Sequence, residues 1–189
     1  MIAYSLLAII TTNFRSVHRV EVVAADTDSL TRILNHRGFY AVFSIELLRS
    51  IRYKHMFSLA YLDIDNFKFI NDSLGHSVGD KLLVEVAKCL KSALRVTDSV
   101  ARLGGDEFAC LLPETKPDAA KKVFAKVRDM LSKSMERFNR PVSFSVGVVT
   151  FETPPDDIKE AIKIADDLMY NVKKGKKNNI AYRIWRGKA

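Results

Sequence analysis

The sequence predicts an α/β domain of the α+β type, in which a mixed sheet of about five strands is surrounded by helices. Helical segments alternate with strands along the chain, which favours a sheet with helices packed against it. Residues 99–112 form two apolar runs around Gly104-Gly105, the pattern of an antiparallel hairpin, so the sheet cannot be purely parallel. Hydrophobic residues make up 48% of the 189 residues and charged residues 28%, which excludes a disordered chain and a polytopic membrane protein.

The predicted elements of the first half lead up to this hairpin. Residues 38–53 have apolar side chains at helical spacing, and residues 57–62 form a short apolar run that ends on acids, as in a buried strand. Residues 71–79 are rich in turn-forming residues and predict a loop. Residues 80–94 repeat apolar side chains at helical spacing, and the hairpin at 99–112 follows.

The second half continues the alternation. Residues 117–138 predict a helix with a proline at its first position, and residues 142–151 alternate as a strand. A Pro-Pro pair then breaks the chain, residues 156–173 predict another helix, and residues 180–185 predict a closing strand. We therefore expect one domain over residues 26–189.

Residues 1–25 stand apart from this domain because they open with an uncharged, largely apolar run of fourteen residues. That run is shorter than the roughly 20 residues that span a bilayer, and it lacks the features of a signal peptide. Two interpretations stay open: the stub of an upstream membrane or sensory segment, or a strand or helix that packs on the domain. Any membrane contact is expected through such an upstream segment.

Charge and cysteine content narrow the function classes. The net charge of +8 favours polyanionic partners, namely nucleotides, nucleic acid or an anionic membrane. Nucleic acid is the poorest of these, because no basic helix is interleaved with aromatic residues. Cys89 and Cys110 lie in apolar stretches and predict buried free thiols in a reducing, cytoplasmic compartment, which excludes a disulfide framework and a Cys-rich zinc site.

The acidic residues at the end of one predicted strand and in the hairpin turn are candidates for a metal-binding or catalytic site. Asp63-Ile64-Asp65 ends a buried strand, and Asp106-Glu107 follows the paired glycines of the hairpin. Carboxylates brought together from adjacent strands suit Mg²⁺, and Mg²⁺ beside phosphates suits nucleotidyl transfer. In the alternative interpretation, Asp65 caps a helix that begins at Asn66, and Gly-Gly-Asp is only a turn.

Several motifs, in order, resemble the GGDEF-domain diguanylate cyclases. The similar segments are RLGGDEF at 102–108, DSLTRILNHR at 28–37, DIDNFKFIND at 63–72 with Gly75-His76 and Gly79-Asp80, and ADDLMY at 165–170 with Lys173. Departures from the family pattern are His36, Leu74 and a glycine displaced by one within 173–178. The resemblance covers about 160 residues, from Asp28 to the end of the sequence.

The resemblance implies a fold like the polymerase palm and the nucleotidyl cyclases. It implies a reaction in which two GTP condense into cyclic di-GMP and two pyrophosphates. Each domain would hold one GTP with two divalent cations, Mg²⁺ or Mn²⁺, so the active species would be a head-to-head homodimer. A catalytically weak module that senses GTP or cyclic di-GMP is the alternative, and the intact Gly-Gly-acid turn argues against it.

The resemblance also assigns roles to individual residues. It implies that Asp63 and Asp106 hold the metal together with the Ile64 carbonyl, and that Glu107 completes the catalytic set as a metal ligand or general base. The implied substrate-binding residues are the guanine readers Asn71 and Asp80, with Phe67, Lys68, Gly104, Gly105, Lys173 and Lys177. Arg95-Val96-Thr97-Asp98 resembles an inhibitory product site formed by Arg95 and Asp98, and otherwise reads as a plain helix end.

Overall fold

A computed structural model describes residues 25–138 and 142–188 of the chain. The strands are β1 (Phe57–Ile64), β2 (Ser99–Gly104), β3 (Glu107–Leu112), β4 (Phe144–Phe151) and β5 (Asn179–Trp185). The helices are α1 (His36–Tyr53), α2 (Phe67–Leu74), α3 (His76–Ala93), α4 (Pro117–Met135) and α5 (Ile158–Lys174), with a 3₁₀ turn at Glu136–Phe138.

The five strands form one sheet in the order β2-β3-β1-β4-β5. Strand β1 is central and pairs antiparallel with both β3 and β4, β2 pairs antiparallel with β3, and β5 runs parallel to β4. The predicted mixed sheet of five strands is therefore confirmed, and so is the hairpin. All eight residues of β1 and of β4 are buried, because helices cover both faces of the sheet.

Two hydrophobic clusters divide the core between these faces. Helices α2, α3 and α4 supply one cluster, and α1 and α5 supply the other. Helix α5 packs very closely on β4, since a Cβ added to Gly147 would lie only 2.5 Å from the carbonyl oxygen of Ala165 and the amide nitrogen of Met169. A glycine is thus required here, and it brings the end of α5 close to the edge of the sheet.

One predicted element is wrong, namely the loop at 71–79. Residues 67–74 form α2, Gly75 (φ 86°) ends it, and α3 already begins at His76. Asn71, Asp72 and Ser73 lie within the short helix α2, whose C-terminus is closed by the Gly75 amide donating to the Asn71 carbonyl, and Ser77 and Gly79 lie in α3. The chain therefore needs one glycine to turn here, and the other turn formers are accommodated within the two helices.

The remaining predictions agree within a few residues. The helix expected at 117–138 ends at Met135 and continues as the 3₁₀ turn. Cys89 and Cys110 are buried free thiols, as predicted.

Residues 1–24 lie outside the described residues, so both interpretations of that segment stay predictions. Within the described ranges, none of the helices combines the length and the apolar character that a bilayer crossing requires.

Candidate active site

The acidic end of β1 carries a buried carboxylate. Asp63 is 4% exposed, and its Oδ2 accepts a hydrogen bond from the Lys173 Nζ at 2.7 Å. Its second oxygen, Oδ1, is buried and has no hydrogen-bond partner among the described residues. A buried carboxylate oxygen without a partner is costly, and it marks a place where a cation can bind.

The antiparallel register brings the acidic residues of the hairpin turn to the same place. Asp63 lies directly opposite Glu107 in the β1–β3 pair, and Asp106 precedes Glu107 in the hairpin turn. Burial, together with the charges of Asp106 and Glu107, raises the pKa of Asp63 to about 6, against the lowering effect of the hydrogen bond and charge of Lys173. The sequence analysis expected these three acids to lie together, and the register brings Asp63 opposite Glu107 with Asp106 next in the turn. Within the described ranges, no three acidic, histidine or cysteine side chains group closely enough to hold a metal ion by themselves.

Lys173 is the cation of this acidic cluster. Burial by itself would lower the pKa of Lys173, but its hydrogen bond to Asp63 and the charges of Asp63 and Asp106 raise the pKa above its ordinary value. The ammonium group is therefore charged at neutral pH. It lies at the last turn of α5, where the close packing of that helix on β4 holds it over the end of β1.

Asp65 does not cap a helix, so this interpretation is wrong. The N-cap of α2 is Asn66, which has φ 57° and makes no side-chain cap bond. The Asp65 carboxylate instead accepts hydrogen bonds from the hydroxyls of Ser143 and Ser145, each at 2.7 Å, and from the amide of Asn178 at 3.1 Å. Asp65 thus fastens the loop after α5 to the start of β4.

Lys177 lies on this fastened loop. Its Nζ donates to the side-chain oxygen of Asn66 at 2.9 Å. The structure therefore places both lysines from the displaced-glycine segment beside the acidic end of β1, Lys173 on Asp63 and Lys177 on Asn66.

The hairpin turn is held by an arginine whose role the sequence analysis missed. The Arg102 Nε donates to the Gly105 carbonyl at 2.9 Å, and its Nη1 lies 3.3 Å from Oδ1 of Asp28. Asp28 also accepts from the amide and the hydroxyl of Thr31, at 2.8 and 2.6 Å. Arg102 thereby ties the turn that carries Asp106 to a loop 74 residues earlier in the chain.

Asp28 is charged in this contact. Burial alone would raise the pKa of Asp28, but the hydrogen bonds from Thr31 and the charge of Arg102 outweigh burial and lower the pKa. Gly105 has φ 40°, a conformation that favours glycine, and open space surrounds the Cβ positions of both Gly104 and Gly105. The turn is thus held by Arg102 on the side that faces Asp28, and the space next to Gly104 and Gly105 is open.

Tyr61 is a second group that sequence reasoning missed. It lies two residues before Asp63 on the same face of β1 and is 6% exposed. Burial raises the pKa of Tyr61 above its ordinary range, and so do the charges of Glu107 and Asp166 and a hydrogen bond with Glu107. The hydroxyl therefore stays protonated beside the Glu107 carboxylate. Tyr61 looks like a core residue in sequence, because only the register reveals this contact.

The predicted guanine readers lie at the corner between α2 and α3. A Cβ on Gly79 would lie 1.9 Å from the side-chain oxygen of Asn71, so the glycine makes room for that amide. The same Asn71 oxygen is buried without a partner among the described residues. Asp80 is the next residue of α3 and is exposed, as is Lys68 on α2, whereas Phe67 packs against the core.

Arg95 and Asp98 form a closed turn rather than the end of a helix. Helix α3 ends at Ala93, and the Asp98 amide donates to the Arg95 carbonyl at 3.1 Å. The Arg95 amide in turn donates to Oδ2 of Asp98 at 2.9 Å. Burial raises the pKa of Asp98, against the lowering effects of Arg95. The turn borders a cavity of about 490 Å³.

Comparison with known proteins gives consistent matches. Residues 25–179 match the family described as "Diguanylate cyclase, GGDEF domain". The chain is 35% identical over 161 residues to the diguanylate cyclase DgcM of Escherichia coli K12, covering 83% of this chain and 38% of DgcM. It is 33% identical over 171 residues to the biofilm architecture maintenance protein MbaA of Vibrio cholerae, covering 84% of this chain and 21% of MbaA. The chain thus spans well under half of the length of these relatives.

A solved structure supports the same assignment. The diguanylate cyclase SiaD from Pseudomonas aeruginosa, in complex with its activator SiaC, aligns with a TM-score of 0.79 and 31% identity. That alignment covers 93% of this chain and 70% of SiaD. The sheet order and the helices described above therefore belong to a nucleotidyl-cyclase-like α+β fold.

Replacing Asp63 by asparagine should raise the melting temperature of the metal-free protein at pH 7.5. The pKa of Asp63 is about 6 in the folded protein and ordinarily 3.8, so the folded state favours the neutral form and gains stability as the pH falls from about 6 towards 4. Asparagine resembles that neutral form, so its advantage should shrink at pH 5. Thermal unfolding in a chelator measures this.

The exposed Asp72→Asn serves as the matched control, with no such pH-dependent gain expected. A melting temperature of Asp63→Asn below that of the parent at pH 7.5 would contradict the account. It would mean that the ion pair with Lys173 contributes more stability than the burial of Asp63 costs.

Proposed function

The chain belongs to the GGDEF domain family, and we propose that it condenses two GTP into cyclic di-GMP and two pyrophosphates as a homodimer. The observation that carries this proposal is the position of Asp63 directly opposite Glu107, with Asp106 next to it in the open hairpin turn. Membership of the family and the named diguanylate cyclases among the relatives support cyclic di-GMP synthesis in general.

The acidic cluster fits a divalent cation. The partnerless Oδ1 of Asp63 is a buried, hard oxygen, and the charge of Asp106 is close enough to raise the pKa of Asp63. We assign Asp63, Asp106 and the Ile64 carbonyl to two Mg²⁺ or Mn²⁺ ions. When bound, these ions would lower the pKa of the 3′-hydroxyl and neutralise charge on the leaving pyrophosphate.

The other residues of the site bind and orient the triphosphate. The open space in front of Gly104 and Gly105 lets phosphates approach the backbone of the turn. Lys173 exchanges Asp63 for a phosphate oxygen, and Lys68 and Lys177 add positive charge. Glu107, which lies close enough to Tyr61 to raise the pKa of its hydroxyl, is the third carboxylate of the catalytic set.

The base is read at the corner between α2 and α3. Guanine presents two adjacent N–H donors, N1–H and N2–H, and a carboxylate such as that of Asp80 accepts both. Asn71 contributes its amide at the remaining edge, and its buried, partnerless oxygen is consistent with a ligand role. Adenine presents an acceptor at N1 and would repel the Asp80 carboxylate.

One domain with one such site holds one GTP, so the reaction needs two domains face to face. The 3′-oxygen of each GTP attacks the α-phosphorus of the other, a new P–O bond forms, and pyrophosphate leaves.

The product then binds at Arg95 and Asp98 and inhibits the reaction. A forked guanidinium suits a phosphate, and a carboxylate suits the guanine N–H pair. GTP as the substrate and two buried free thiols support a cytoplasmic location for the domain.

Replacing Asp106 by asparagine should lower cyclic di-GMP synthesis by about a thousandfold without unfolding the domain. A lost carboxylate ligand removes several kcal/mol of transition-state stabilisation. Conversion of GTP with Mg²⁺, followed by chromatography of the product, measures the rate, and circular dichroism checks the fold. Turnover like the parent's in a folded variant would refute the metal assignment, and GTP binding without turnover by the parent would favour a sensing module.

Replacing Asp80 by serine should relax the preference for GTP over ATP. The paired contact with N1–H and N2–H contributes about 2–4 kcal/mol of discrimination, so the ratio of GTP to ATP affinity should fall by about thirtyfold or more. Competition of ATP against a fluorescent GTP analogue measures the ratio, with Asp72→Ser as the matched control on α2. An unchanged ratio would show that another group reads the base.

A further inference from the structure

The cavity beside Arg95 and Asp98 has two walls. One wall is the turn after α3, and the other comes from the loop that contains Arg32. We call it the basic cavity, lined among others by Arg32, Lys91, Arg95 and Asp98. Its volume of about 490 Å³ lies in the range of small-molecule sites.

The backbone of Arg32 is in an unusual conformation for its residue type. Its φ is 60°, in the left-handed region that glycine adopts at no steric cost and arginine does not. The surrounding loop imposes this conformation, because the Arg32 amide donates to the Asp28 carbonyl at 2.9 Å and the Asp28 amide donates to the Ile33 carbonyl at 2.8 Å. An arginine at such a position has a backbone cost that a glycine would avoid, so the value of Arg32 to the protein lies in its side chain.

The charge of the basic cavity points to the ligand. Its named lining holds three cations, Arg32, Lys91 and Arg95, and one carboxylate, Asp98. In the part of the chain that the structure describes, Arg32 and Lys91 make no ion pair. The excess positive charge faces a concave space beside the turn assigned to the product, so an anion with more than one negative charge fits it best.

We propose that Arg32 is a second phosphate-binding residue of the product site, which deepens, and rests on, the proposed product inhibition at Arg95 and Asp98. Cyclic di-GMP carries two phosphates. Arg95 binds one of them from the turn after α3, and Arg32 binds the other from the opposite wall. Both contacts use a guanidinium, whose fork matches two phosphate oxygens.

Titration calorimetry with cyclic di-GMP on the parent, Arg32→Gly and Arg95→Ala tests this assignment. Glycine adopts the left-handed conformation freely, so Arg32→Gly should melt no lower than the parent. It should bind cyclic di-GMP about five- to twentyfold more weakly, because one charge-assisted contact is lost. Lys54→Gly is the matched control, since Lys54 also has a left-handed backbone (φ 54°) and lies outside the residues that line the cavity.

A second pair of variants separates charge from backbone effects. Arg32→Lys and Arg32→Gln both place a side chain on the left-handed backbone at the same cost, but only lysine keeps the positive charge. The lysine variant should therefore bind cyclic di-GMP more tightly than the glutamine variant. If Arg32→Gly and Arg32→Gln bind like the parent while Arg95→Ala loses affinity, the assignment of Arg32 is wrong and the product site stands. If the parent itself does not bind cyclic di-GMP, the product site and the assignment both fail.

Discussion

Two carboxylates of like charge, those of Asp63 and Glu107, lie directly opposite each other on adjacent antiparallel strands. Such a pair is destabilising by itself, and the burial of Asp63 adds to the cost. The surroundings offset this cost with Lys173, which reaches Asp63 from the last turn of α5 and donates a hydrogen bond to its carboxylate. The folded chain thus holds like charges close together, and the binding of a cation and a triphosphate would reduce their repulsion.

Long-range polar contacts keep this arrangement in place. Asp65 fastens the loop after α5 to β4, and Arg102 fastens the hairpin turn to Asp28. The loop that begins at Asp28 therefore touches the back of the turn that carries Asp106, and its far end supplies Arg32 to the basic cavity. One short loop contacts both the proposed catalytic turn and the proposed product site.

Periodicity and turn chemistry predicted the succession of strands and most of the helices along the chain, and the hairpin followed from its paired glycines. The same turn chemistry failed at 71–79, where the turn-forming residues other than Gly75 lie in α2 and α3. The acids at the end of β1 and in the hairpin turn could be identified from the sequence, but their burial and their hydrogen-bond partners could not. Tyr61 and Arg102 could not be assigned, because their contacts depend on strand register and on a partner 74 residues away. The partners of Asp65 could not be assigned from the sequence either, because they lie up to 113 residues further along the chain.

The most direct test of the central claim is a crystal structure with Mn²⁺ and a non-hydrolysable GTP analogue, with the metal located by its anomalous signal. We expect manganese bound to Asp63 and Asp106, with the Lys173 ammonium moved from Asp63 to a phosphate oxygen. Manganese bound elsewhere, with Lys173 still paired to Asp63 and the analogue in place, would contradict the account.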